Sequence, residues 1–307
     1  MGHLERAAFF VILGILVLML VVMLKQGSAE EEAATIFQVS IIINDENDDY
    51  WENFSKGVDS AAVDYNVDVH FVTLLGGAST ENQIYYLERE IRNNADAIVI
   101  SAVDGESLAE WLEEESPDIP IISVGEEVRA DQVNMHINLN DYAMGLKLAQ
   151  DIENAGGVNT CTIFMAKGSK GCIQKRLSGL QYGLSGEGIT YSVKEVEEES
   201  WASMTVDEAV AIGLEAPVLE RLTERANGRT RLLGIGFTNE ILYSLDEGDI
   251  QGIVVLSDYA AGYQSVLSAF NALEGISQPD EVLMRCFSAN RENIYSGPVE
   301  QVLFPIS

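Results

Sequence analysis

Residues 44–57, NDENDDYWENFSKG, crowd the carboxylates of Asp45, Glu46, Asp48 and Asp49 against the adjacent rings of Tyr50 and Trp51. They directly follow the β-branched run VSIII at Val39–Ile43. Two readings are open: a polar-aromatic binding loop at a strand end, or a solvated loop followed by the first turn of a core helix. Other reactive types give less. Cys161, Cys172 and Cys286 make no metal-binding spacing. Cys161 and Cys286 sit in strand-like runs as small hydrophobes, and Cys172, placed in a loop, is the thiol to test for reactivity. His3 is near the terminus, while His70 and His136 fall in strand-like runs and read as core residues. No Ser/His/Asp order or metal cluster stands out. LLGGAST (Leu74–Thr80), GIGF (Gly234–Phe237) and KGSKGC (Lys167–Cys172) lack the dinucleotide or P-loop spacing and read as turns. Nothing argues for an enzyme, a cofactor or a metal.

The elements that must position these residues alternate. VSIII, a helix near Tyr50–Tyr65, VDVHFVTL, a helix near Ser79–Asn93, AIVIS, a helix around Glu106–Glu115 and IPIISV form one series. A second follows VNMHIN: a helix from Asp141, TCTIFMA, a helix around Ile173–Leu184, ITYSVKEVE, a helical stretch from Asp207, RLLGIGF, another helix and IQGIVVLS. Repeated βα units specify an α/β fold with parallel sheets covered by helices, here in two lobes. Ligands of such sheets bind beyond the carboxyl ends of strands, where the stretch from Asn44 stands. The rhythm breaks once, because only Trp201–Met204 separate ITYSVKEVEEES from TVDEAVAIG. A parallel crossover needs about a dozen residues, so either a βα unit is missing near 201–205 or the strand is misassigned.

Composition adds exclusions. With 49 acids against 18 bases the net charge of −31 repels phosphate backbones, so nucleic acid is not a partner. Ala7–Leu24, AAFFVILGILVLMLVVML, runs uncharged between Arg6 and Lys25 and reads as a transmembrane anchor. Signal cleavage at GSA (Gly27–Ala29) is the alternative. Either way the short basic end stays inside and the remainder lies outside the cytoplasmic membrane. This divides the chain into a cytoplasmic end (1–6), an apolar segment (7–25), a polar tether (26–36) and the α/β body.

From about Phe37 onward the chain resembles the extracytoplasmic sugar-binding receptors of ABC importers, the ribose-binding-protein type. The likeness rests on IIIN with the loop, Tyr50-Trp51 and Gly57, then ADAIVISAVD (Ala95–Asp104), IPIISVG (Ile119–Gly125) and HINLNDYAMG (His136–Gly145). It continues through QKRLSGL (Gln174–Leu180), DEAVAIG (Asp207–Gly213), LLGIGFTNE (Leu232–Glu240) and NRENI (Asn290–Ile294). The resemblance implies two Rossmann-like lobes of the type 1 periplasmic binding protein, closing on a ligand. They would be joined by three crossing strands near Leu139, Leu256 and Cys286, giving lobes of 37–139 with 257–286 and 140–256 with 287–307. Related repressors carry a helix-turn-helix where this chain has its apolar segment.

By the same likeness Asp48, Tyr50 and Trp51 match first-loop sugar contacts, Asp207 a second-lobe polar contact, and Asn44, Asn140 and Phe237 join the site. The family's Asp-Arg pair is replaced by Gly125-Glu126, its second-lobe Arg by Gln174, an Asp by Thr238 and a hinge Gln by Leu256. Losing the Arg forks removes bidentate contacts to vicinal oxygens and argues against a simple aldose. A sugar, polyol or amino sugar with donors to offer suits Asp48, Glu126 and Asp207. Implied partners are an ABC permease or, alternatively, a membrane sensor kinase. A further alternative is a degenerate homologue, its second lobe trimmed, that no longer binds.

Overall fold

The computed structural model describes residues 2, 13–17, 19–20, 36–43, 48–74, 79–169 and 171–305, and for 48–51 the helical backbone. The chain divides into Met1–Ile36 and Phe37–Ser307. Of the apolar run Ala7–Leu24, residues 13–17 and 19–20 are helical and exposed, and the rest lies outside the described residues. Among the described residues no helix is long and apolar enough to cross a membrane.

The body opens with β1 (Phe37–Ile43), α1 (Asp48–Tyr65), β2 (Val67–Thr73), α2 (Thr80–Arg92), β3 (Ala97–Ile100), α3 (Gly105–Glu115), β4 (Ile121–Val124) and β5 (Val133–Asn138). β3 and β4 are buried at every position, and β1 from Val39 on, as expected of strands covered on both faces. β2, at the sheet edge, mixes exposed and buried positions. Short polar side chains start the helices: Ser79 accepts from the Asn82 N–H and Asp104 from the Ser107 N–H.

The second lobe follows with α4 (Asp141–Asn154), β6 (Thr160–Ala166), α5 (Gly171–Gly186), β7 (Thr190–Val196), a 3-10 turn (Glu198–Ser203) and β8 (Val210–Gly213). α6 (Ala216–Arg225), β9 (Arg231–Ile235), α7 (Asn239–Glu247) and β10 (Ile250–Leu256) complete its parallel series. The chain then returns through α8 (Asp258–Leu273) to β11 (Glu281–Leu283), which pairs with β5, and ends with β12 (Cys286–Ala289), antiparallel to β10, and α9 (Gly297–Leu303). The two six-stranded sheets run β11-β5-β4-β3-β1-β2 and β12-β10-β9-β8-β6-β7. The chain therefore passes between sheets three times, at 139–140, at Ser257 and at 284–285.

The irregular point near 201–205 needs correction. The stretch from Asp207 is not helical: Val210–Gly213 is a fully buried strand between β6 and β9. β7 and β8 flank β6 rather than each other, so the connection crosses a single strand and a 3-10 turn suffices. Trp201, 3% exposed, fills the face that a crossover helix would cover, packing on Phe164 with ring centroids 6.4 Å apart and joining Val196, Val206 and Leu219 in one core. The helix of that βα unit is absent, and its strand is present.

Each sheet is cored on both faces, and one face of the first is closed by α1 crossing α8. A Cβ on Gly57 would sit 1.9 Å from the Tyr259 carbonyl oxygen, and one on Gly262 would sit 2.0 Å from that of Phe54. Only hydrogen fits at either position. Gly57→Ala should force the helices apart and cost about 1–3 kcal/mol. Calorimetry finding an unchanged Tm would show that the crossing is looser than this.

Candidate ligand-binding cleft

A cavity of ≈ 460 Å³ lies between the lobes. Its walls are the segments that leave the strands at their carboxyl ends. Ser101-Ala102 follow β3, Gly125-Glu126 follow β4, and Leu139 and Asp141 follow β5. From the other lobe come Lys167–Ser169 after β6, Glu215–Pro217 after β8, and Gly236-Phe237 after β9. Leu256 and Asp258 flank the second crossing. The volume suits a ring-sized small molecule.

Its polar floor is built by the first and second crossings. Asp141, 4% exposed, opens α4 and accepts a 2.7 Å hydrogen bond from Nε of Arg176. Nη1 of Arg176 donates to the Leu214 carbonyl at 3.0 Å, so the guanidinium ties α4, α5 and the turn after β8 together. Glu215 turns its carboxylate back to the loop after β6, accepting from the Ala166 N–H at 3.1 Å and the Ser169 hydroxyl at 3.2 Å. Asp258, 4% exposed at the start of α8, has no hydrogen bond to its carboxyl from any described residue. Burial pushes its pKa up to about 8 against the pull of Arg176.

Glu126 reaches from the first lobe toward the second. A Cβ on Gly171, at the start of α5, would sit 3.1 Å from its Oε1, while its buried Oε2 has no partner among the described residues. At the rim Glu127 approaches Lys175 of α5 at 3.6 Å, and its carboxyl is held below the usual range by its hydrogen bond from Arg129. Among the described residues no group of three or more His, Cys, Asp and Glu is placed to hold a metal ion.

Of the residues expected from sequence, Glu126 and Phe237 line this cavity. Asn44 lies outside the described residues, as do the side chains of Asp48, Tyr50 and Trp51, whose backbone forms the first turn of α1. The next turn carries Glu52, Asn53 and Lys56, which share a second cavity of ≈ 250 Å³ with Phe237, Thr238 and Asn239 of the other lobe. Thr238 is buried as the cap of α7, accepting from the Ile241 N–H and donating to Glu220 at 2.5 Å. Asn140, in left-handed backbone at φ 58, donates its Nδ2 to the Met284 carbonyl at 3.4 Å and so links the first and third crossings.

Two expectations move away from the cleft. Asp207 is exposed ahead of β8, at the opposite end of that strand from Glu215, where Asn227 donates to it at 2.8 Å. The family resemblance alone had suggested it as a second-lobe contact. Gln174 is exposed on α5 and does not line the cavity, whereas Arg176, two residues on, does. Cys172 is in the first turn of α5 rather than in a loop, and it also lines the cavity. Cys161 is buried, and burial raises its thiol pKa to about 11.

Sequence reasoning missed Asp141, Glu215 and Asp258 as wall residues; Asp141 and Asp258 stand three and two positions after strands recognisable as such, whereas Glu215 follows VAIG, which reads as part of a helical stretch. Arg176 pairs with Asp141 and also lines the cavity.

No curated protein matches the chain in sequence. Solved structures similar in fold include a glucose-galactose binding protein from Geobacillus stearothermophilus, at 17% identity and TM-score 0.74 over 85% of this chain and 99% of that one. An ABC transporter solute-binding protein from Agrobacterium vitis, bound with alpha-D-tagatopyranose, is 18% identical with TM-score 0.76 over 87% and 98%. Another, from a Bradyrhizobium species and with bound Bis-Tris, is 19% identical with TM-score 0.74 over 90% and 88%. The family model described as a periplasmic binding protein domain matches residues 39–205, more than half of the chain. This chain belongs to the periplasmic binding protein domain family.

Proposed function

We propose that the chain is an extracytoplasmic solute receptor that closes its lobes on a small carbohydrate-like ligand and presents it to an ABC importer. The observation that carries this is the cavity of ≈ 460 Å³ built by both lobes from strand carboxyl ends and flanked by chain crossings that can hinge. Tagatopyranose, a sugar, and Bis-Tris, a polyol amine, occupy proteins of this fold and mark the ligand classes to try first. The second sheet keeps six strands, so the shortened connection before β8 leaves the cleft wall intact. That speaks against a degenerate receptor.

In this reading Tyr50 and Trp51 are the aromatic face of the site, Asn44 and Asp48 are polar contacts, and Phe237 of the cavity wall is a further apolar contact. A thermal-shift screen of sugars and polyols should raise Tm by several degrees for at least one compound. Trp51→Ala should weaken that compound by about tenfold or more, because ring stacking contributes beyond area burial. A screen that moves Tm for no compound sinks the reading; unchanged affinity in calorimetry after Trp51→Ala removes the assignment of the aromatic pair alone.

The apolar run between Arg6 and Lys25 anchors this receptor to the membrane in the same proposal. Alkaline carbonate should leave the chain in the membrane pellet, and recovery in the supernatant would overturn the anchor. The tether also favours a second reading, in which the domain senses its ligand for a membrane histidine kinase. Co-purification with a permease or with a kinase separates the two.

A further inference from the structure

The polar groups of the cleft are unbalanced. Among the described residues four acids line it, Glu126, Asp141, Glu215 and Asp258, against Lys167 and Arg176. Both of these bases are already paired: Arg176 with Asp141 and the Leu214 carbonyl, and Lys167 with Glu197. Asp141 and Glu215 have their donors. Two carboxyl groups remain. Asp258 is 96% buried, from its 4% exposure, and receives no hydrogen bond from the described residues. Glu126 keeps Oε1 against the start of α5, where helix N–H groups suit negative charge, and its buried Oε2 accepts no hydrogen bond from the described residues.

We infer, on the strength of the receptor reading above, that the ligand carries a protonated amine, as in an amino sugar or amino polyol, which Glu126 and Asp258 compensate. Closure removes water from both carboxyl groups at once, and a buried carboxyl group left without a partner is costly. A neutral hydroxyl supplies a single donor. An ammonium supplies three donors, enough for both groups, and a charge that favours their ionised forms.

The binding also moves a proton. Burial holds the Asp258 carboxyl protonated up to about pH 8 in the empty cleft. An arriving ammonium favours its ionised form, so the proton passes to solvent, and affinity rises with pH up to about 8. The charged groups sharing the cavity with Asp258 are Arg176 and Asp141 from α5 and α4, Glu215 and Lys167 from the second lobe, and Glu126 from the first. A neutral ligand using Asp258 as donor would give the reverse slope.

The test is isothermal titration of the full-length chain with matched probes, D-glucosamine against D-glucose and 1-amino-1-deoxysorbitol against sorbitol. The amine of a pair should bind about ten- to a hundredfold tighter, with net proton release at pH 7 in buffers of different ionisation enthalpy. Glu126→Gln and Asp258→Asn should each remove most of that preference while the variants melt cooperatively. If a neutral member binds as well as its amine, the inference fails and the carbohydrate receptor stands. If an amine binds tighter but keeps its advantage in both variants, the assignment to Glu126 and Asp258 fails. If none of the four probes binds, both the inference and the receptor reading behind it are overturned.

Discussion

Arg176→Met should destabilise the protein by about 3–5 kcal/mol, because it strands the carboxylate of Asp141, 4% exposed, without its 2.7 Å partner. The same change frees the Leu214 carbonyl, which Arg176 also satisfies. The loss should appear at neutral pH in urea unfolding. Pairing it with Asp141→Leu should recover most of the loss, since a buried ion pair replaced by apolar groups is often close to neutral. Arg176→Lys should recover little, because one ammonium cannot reproduce a planar fork aimed at two acceptors on different segments. An Arg176→Met variant as stable as the parent would mean that Asp141 finds another donor or water. The pair's role as the brace between α4, α5 and the turn after β8 would then be wrong.

Asp258→Asn should have the opposite sign. The unfolded chain releases this proton near the ordinary aspartate value of 3.8, whereas the folded chain holds it to about 8. Across that window the folded state binds the extra proton, so Asp258 makes stability fall as pH rises from about 4 to 8, and the slope ends above 8. The neutral amide has no such slope. The variant should match the parent near pH 4 and exceed it by on the order of 3–5 kcal/mol at pH 8. The difference between the two proteins isolates Asp258 from the many other carboxylates. A stability gap that stays constant from pH 4 to 8 would show that Asp258 titrates normally. A group that destabilises the empty protein at working pH is what a binding site, rather than a packing site, tends to hold.

Both residues show where the sequence stopped being informative. The strands were legible because central strands of a covered parallel sheet must be apolar on both faces, and AIVI and IISV are buried at every position. Strand ends then pointed at the cleft, and the family resemblance pointed to Glu126 and Phe237 there. VAIG was misread because four apolar residues have no period long enough to separate strand from helix. Trp201 as a helix substitute has no local signature.

The sequence by itself determined the two βα series, the strongly acidic charge and the strand ends from which a site has to be made, because these follow from local periodicity and composition. Which acids are satisfied and which are left over was decided only by the tertiary structure. Asp141, Arg176 and Asp258 meet because the chain crosses between sheets at 139–140 and at Ser257, and those crossings assign Arg176 to Asp141 and leave Asp258 without a hydrogen bond from the described residues. Hydrogen-bond satisfaction inside a cleft is a property of elements far apart in the chain, so no spacing in the sequence encodes it.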